Sequence, residues 1–197
     1  MRYDAEHKQK TREKVLDAAA QAIRQEGPHK VGVAGIMAKA GLTHGGFYAH
    51  FESKDDLVVQ AIGYMFDCGA LRRIERVRGK PVAEALPAYI DFYLSPEHRD
   101  STVFGCVMPV LAADAPRLTE AAQAAYASGV ARMTRWVAEM LATLGRDDAE
   151  DLATSTIAEM VGALSLARAE PDRARSDLML DRSRRILKQR LKLEPQA

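Results

Sequence analysis

The chain has 197 residues, 47% of them hydrophobic and 28% charged, with a formal net charge of +1. Such a length allows one sizeable core or a small domain joined to a larger one, and the composition excludes a disordered chain. The near-zero net charge excludes a uniformly basic nucleic-acid binder, so any electrostatic footprint has to be local. The first fifty residues carry three more positive than negative side chains, together with His7, His29, His44 and His50, so this region is expected to grow more positive below neutral pH.

Met1 to Lys8 is charged and lacks the apolar stretch of a signal peptide, and no apolar run approaches the roughly 20 residues of a membrane helix. Two cysteines, Cys68 and Cys106, make neither a disulfide framework nor a metal knuckle. A cytoplasmic protein without membrane contact, metal or cofactor is expected. Alanine, leucine, arginine and glutamate dominate and hairpin signals are missing, which predicts an all-α fold of about nine helices.

In chain order, Val15, Ala19 and Ile23 recur at i+4 and predict a helix from about Glu6 to Glu26, stopped by Gly27-Pro28. A short helix over Val33 to Ala40 is anchored by Ile36 and Met37. Gly41-Leu42 then turns, and Thr43 is placed to cap a third, two-turn helix ending near Phe51. At 100° per residue Phe47 and Phe51 share an inward face, while His44, Gly45, Tyr48 and Ala49 point outward. Ser53-Lys-Asp-Asp56 resembles a capping box that opens a fourth helix, running to the break at Gly79-Lys-Pro81.

Beyond it, Pro81 to Leu94 is amphipathic, with Leu86, Tyr89, Ile90 and Tyr93 inward and Ser95-Pro96 as its stop. Val103 to Ala115 is a short apolar segment interrupted by Pro109. Long helices follow over Pro116 to Leu144 and Asp147 to Ala169. Asp172 to Leu193 closes the chain, opening acidic and ending basic as a helix dipole prefers.

Two short helices joined by a glycine turn make a helix-turn-helix, whose second helix enters the major groove of DNA. Gly45-Gly46 is the odd feature, because each glycine costs a helix roughly 1 kcal/mol relative to alanine. Close approach of the backbone to DNA explains Gly45; tight packing on a neighbouring helix is the alternative, and Gly46 stays open between them.

Gly41-Leu-Thr-His-Gly-Gly-Phe-Tyr-Ala-His-Phe51, followed by Ser53-Lys54 and Leu57, resembles the signature of the tetracycline-repressor (TetR) family. Thr11-Arg12, Val15-Leu16, Ala18-Ala19 and Ile36 to Gly41 match the same pattern in register. Gly105-Cys106, Met160 to Leu164 and Leu166-Ala-Arg168 resemble one branch of the family more loosely.

The resemblance implies a helix-turn-helix domain over residues 1–56 and an effector-binding and dimerisation domain over 57–197. It implies a homodimeric, ligand-responsive repressor of a near-palindromic operator in double-stranded DNA. It places Thr43 on a phosphate, Tyr48 and His50 on the DNA backbone or thymine methyls, and Lys54, with nearby helix amides, on another phosphate. Thr11 and Arg12 touch the backbone from the first helix, Gly45 lets it approach, and His44 is the base reader. Gly32, Ala34 and Gly35 stand where many members carry Thr, Arg and Asp, which removes a side-chain phosphate clamp and shifts weight to shape readout.

For the second domain the resemblance implies a small-molecule effector, expected to be apolar or aromatic. Its candidate lining is Tyr89, Phe92, Tyr93, Met108, Met133, Trp136 and Met140, with Arg132 and Asp91 as polar partners; plain core is the competing reading. Cys106, near the start of a short helix, is either a buried hydrophobe or a thiol whose pKa the helix lowers, which makes an electrophile- or redox-sensing repressor the alternative. Cys68 is read as packing. The last two helices, with Ala153, Ala158, Gly162, Ala163 and Ala167 permitting close approach, resemble the family's dimer interface.

Two rival classes remain. An enzyme needs converging acids, bases or nucleophiles, and no such set, GxSxG or phosphate loop is present. A helical interaction protein that no longer reads DNA is kept open by the glycine-rich second helix.

Overall fold

The fold was obtained as a computed structural model, which describes residues 2–101 and 105–193, with side chains described from residue 6 onward. Val103 and Phe104, at the start of the short apolar segment, lie outside the described residues. Nine α-helices and no strand are present among the described residues, as an alanine- and leucine-rich chain without β-branched runs should give.

The first helix, α1, spans Arg2–Glu26, four residues earlier than the apolar repeat suggests, because its first turns are polar. Its inner face, Val15, Ala19 and Ile23, is fully buried. Helix α2 spans Val33–Lys39. Gly41 follows at φ 72°, with its N–H on the Ala38 carbonyl and that of Leu42 on Met37 at 2.9 Å. This is a Schellman stop, and it needs a residue free to adopt positive φ.

The next segment corrects the sequence reading. Residues His44–Ala49 form a 3-10 helix rather than a two-turn α-helix, and Thr43 stands at its start without a side-chain capping bond. Gly45 and Gly46 weaken α-helical propensity where no tertiary burial compensates. The burial pattern survives the change: Phe47 and Phe51 are buried with ring centroids 5.5 Å apart, while Tyr48 is 71% exposed.

Helix α3, Lys54–Val77, is one continuous rod. Ser53 Oγ accepts the Asp56 N–H at 3.0 Å. The Asp56 carboxylate in turn accepts the N–H of Glu52 rather than that of Ser53, so the box closes one residue early.

The remaining helices are α4 (Val82–Tyr93), α5 (Pro96–Asp100), α6 (Val107–Leu111), α7 (Glu120–Thr143), α8 (Ala149–Ala169) and α9 (Arg173–Arg190). Ser95-Pro96 both stops α4 and starts α5, since Ser95 accepts the His98 N–H at 3.1 Å and Pro96 occupies the first turn. The first turn of α9 is basic, with Arg173 and Arg175; acidity is confined to the capping residue Asp172. Helix α3 packs on α1 at one end and on α7 at the other, α7 packs on α8, and α8 on α9. One rod therefore touches both halves of the molecule.

Candidate nucleic-acid interface and internal cavity

The outward face of residues 43–49 is built by exclusion. Phe47 and Phe51 pin the segment to the α1–α3 core, which leaves Thr43, His44, Gly45, Tyr48 and Ala49 exposed. A Cβ at Gly45 would meet nothing within 4 Å, whereas one at Gly46 would come 3.8 Å from Met37 Cε. Gly46 thus faces the domain's interior and Gly45 faces out. Tyr48 stands edge-on to Phe47, centroids 5.2 Å apart, so its exposed ring has a fixed base.

Around this face, the Arg12 guanidinium lies 5.5 Å from the Phe51 ring centroid, and Thr11 is half-buried beside it in the chain. His50 has a buried Nδ1 with no hydrogen-bond partner among the described residues. Desolvation, then the charges of Lys8 and Arg12, hold it below the usual histidine range, so His50 gains its charge at a lower pH than a free histidine does. Lys54 Nζ donates to the His29 carbonyl at 3.3 Å. Asp55 and Asp56 occupy the first turn of α3 and already complement its dipole, which leaves the Lys54 side chain, rather than the helix amides, suited to an anion.

In the other half of the molecule, α3, α4, α6 and α7 enclose a cavity of about 370 Å³. Tyr89, Phe92, Tyr93, Cys106, Met108 and Met133 all line it, joined by Met65 and Phe66 from α3. Trp136 does not line it. Its indole stands behind Tyr89, edge to face at 5.1 Å, and is covered by the Arg73 guanidinium at 4.4 Å. Met140 is buried outside the lining, and Asp91 binds Lys188 at 2.8 Å on the far side of α4. Arg132 is at the mouth, paired with Asp67.

Gly129 of α7 permits this architecture, because a Cβ there would sit 2.2 Å from the Phe66 ring. Cys106 opens on the cavity as the residue before the five-residue α6. Burial pushes its thiol up, and this outweighs the opposing hydrogen bond from the Tyr93 hydroxyl at 3.4 Å. Of the two readings of Cys106, this environment does not favour the helix-lowered thiolate.

Residues 15–61 match the family model described as bacterial regulatory proteins, tetR family. A TetR transcriptional regulator from Chloroflexus aurantiacus is 25% identical, with a TM-score of 0.80 over 95% of this chain and 96% of that one. Residues 15–61 are thus a TetR-type DNA-binding domain, on a chain with the fold of TetR regulators. A TetR-family regulator from Agrobacterium tumefaciens (24% identity, TM-score 0.76, 92% and 98% covered) and reduced NemR from E. coli (22% identity, TM-score 0.79, 91% and 96% covered) share its fold. No curated protein matches the chain significantly. Among the described residues, no helix is long and apolar enough to cross a membrane, and no cluster of side chains is arranged to hold a metal ion.

Against this TetR frame, several residues carry signals too weak to read in one dimension. His98 and Arg99 are both buried, on a helix of five residues that offers no hydrophobic period. His98 stacks on Phe92 and lines the cavity; Arg99 is bound by Asp100, Ser176 and Asp177. Arg73 belongs to a run of arginines that looks like a solvated face, yet it turns inward.

Proposed function

We propose that this regulator is a ligand-responsive repressor that binds a near-palindromic operator as a homodimer. The observation that carries the reading is the shared rod: α3 holds Lys54 beside the exposed 43–49 segment and Met65, Phe66 and Arg73 in the cavity wall. A ligand in the cavity then bears directly on the element that positions the DNA face.

On this reading residues 1–56 form the DNA-binding domain and residues 57–197 the effector and dimer domain, with α3 crossing the boundary. Tyr48 and His50 meet the DNA backbone or thymine methyls, and Thr43, Lys54, Thr11 and Arg12 meet phosphates. His44 reads base edges, and Gly45 allows the backbone close. Tyr89, Phe92, Tyr93, Met108 and Met133 enclose the ligand, while Trp136 acts from behind the wall. Dimerisation through α8 and α9 is supported by their outward apolar side chains, Leu166, Leu178 and Ile186, and by exposed Ala158. Two-fold pairing suits a palindromic site.

A gel shift on the chain's own upstream region at several salt concentrations tests this reading. Specific binding with a steep salt slope is expected, and Tyr48→Ala and Lys54→Ala should each weaken it in a protein that stays folded. Unchanged affinity in both variants sinks the assignment. A second reading, electrophile sensing at Cys106, is favoured by the opening of that residue on the cavity and opposed by its raised pKa. Full inducibility of Cys106→Ser removes it.

A further inference from the structure

The cavity has an apolar floor and a cationic wall. Arg72, Arg73, Arg76 and Arg132 all reach its lining, against the single carboxylate of Glu97. Three of these arginines have partners within the protein, Arg72 among them. Arg132 pairs with Asp67 at 2.8 Å, and Arg76 lies 3.6 Å from Glu97 while covering the Phe92 ring.

Arg73 is different. It is half-buried, and among the described residues no carboxylate lies within ion-pair distance of it. Its Nη1 donates to the Met133 thioether at 2.9 Å, its guanidinium rests on the Trp136 face, and its Nε is buried with no acceptor among the described residues. The neighbouring Tyr89 phenol supplies no charge, because burial pushes its pKa far up. A thioether and an indole face are weak substitutes for water or a carboxylate around a charged group, and desolvation accordingly lowers the Arg73 pKa. A desolvated, under-satisfied guanidinium beside an apolar chamber is a preorganised anion receptor.

We propose that the effector is a small amphipathic carboxylate, its acid group on Arg73 and its apolar body among Met65, Phe66, Tyr93, Met108 and Met133. The proposal rests on the ligand-responsive reading above and names the chemical class of its ligand. One unanswered guanidinium matches one negative charge, whereas a phosphate dianion would bring a second charge into the same desolvated wall. The cavity of about 370 Å³ lies near the small end of the range for ligand sites and suits a compact body.

Trp136 is the chain's single tryptophan and lies against Arg73, so its fluorescence reports on the site. The full-length protein is titrated with 3-phenylpropanoate and octanoate, and with the matching amides, by fluorescence and calorimetry. At least ten-fold tighter binding of the acids is expected. Arg73→Met should bring acid and amide to equal affinity, and Arg73→Lys, which keeps the charge, should retain the preference. Equal affinities in the unaltered protein, a preference that survives in Arg73→Met, or no saturable binding of any of the four compounds overturns the proposal. Operator binding is measured in parallel: if it persists while the acid preference is absent, only the anion assignment falls, and if it is absent the regulator reading falls with it.

Discussion

Arg24, three residues before the Gly27 that ends the first helix, donates from Nε to the carbonyl of Gly105 at 3.0 Å. Gly105 immediately precedes Cys106 and lines the cavity, so one hydrogen bond joins the DNA-binding half to the cavity wall. Gly105 is held tightly, since a Cβ there would lie 2.5 Å from the Ser101 carbonyl oxygen and 2.8 Å from Arg168. The contact is a charged donor on a fixed acceptor, and its geometry spans 81 residues of sequence.

Arg24→Met, which keeps most of the aliphatic stem, should lower stability by about 1–2 kcal/mol, as expected for a half-buried bond from a charged donor. Urea denaturation measures the loss, and unchanged stability would mean the bond is not held in solution. Operator binding without effector should persist, because no residue of the 43–49 face is touched.

Gly45→Ala separates close DNA approach from a tolerated accident. Nothing in the protein obstructs the new methyl, so stability should rise by about 0.5 kcal/mol through the unfolded chain. Operator affinity should nevertheless fall by about ten-fold, or 1.4 kcal/mol. A gel shift with undiminished affinity shows that the backbone does not approach the duplex there.

Gly129→Ala drives a methyl into the Phe66 ring, 2.2 Å away. Overpacking of this kind costs about 1–3 kcal/mol, and relief requires the ring to move into the cavity. Thermal denaturation should show the loss, and adding Phe66→Leu should restore part of it. No recovery in the double variant would locate the strain elsewhere.

His98 gives the fold a pH dependence. Burial depresses its pKa from 6.5 to about 4, against the raising effect of its bond to the Tyr93 carbonyl. The unfolded chain takes up this proton first, so the contribution is complete above pH 6.5 and is lost as pH falls towards 4. At 1.36 kcal/mol per unit the loss is at most about 3 kcal/mol. Asp100, held at about 2 by Arg99 and Arg173, adds its own loss only below its usual 3.8. His98→Gln should flatten the stability slope between pH 6.5 and 4.5; a slope as steep as in the unaltered protein would assign it to other groups.

Local chemistry made much of this molecule legible. The Ser53 cap, the Gly41 stop and the Phe47–Phe51 anchor each depend on neighbours within a few residues, and each stands where its residues indicate. The 3-10 form of residues 44–49 was signalled by Gly45-Gly46, whose reluctance to form α-helix is local, but the winding it would take instead was not. Helix α5 was hidden because Ser95-Pro96 reads equally as a stop and a start. Arg73 was hidden, and Trp136 was read as lining rather than as backing, for another reason. Their surroundings come from α3 and α7 together, some sixty residues apart, and no periodicity reveals which arginine of a run turns inward.

Lys54 and Arg73 lie on the same helix, nineteen positions apart, a span of about 28 Å at 1.5 Å per residue. Treated as a stiff lever pivoting at the cavity, that rod needs a tilt of only about 6° to swing its far end by about 3 Å, the length of a hydrogen bond. In a two-fold dimer the displacement counts twice, or about 6 Å against a half-site separation of about 34 Å. A side-chain-sized event at one end would be enough to throw the two reading segments out of step with the turn of the double helix.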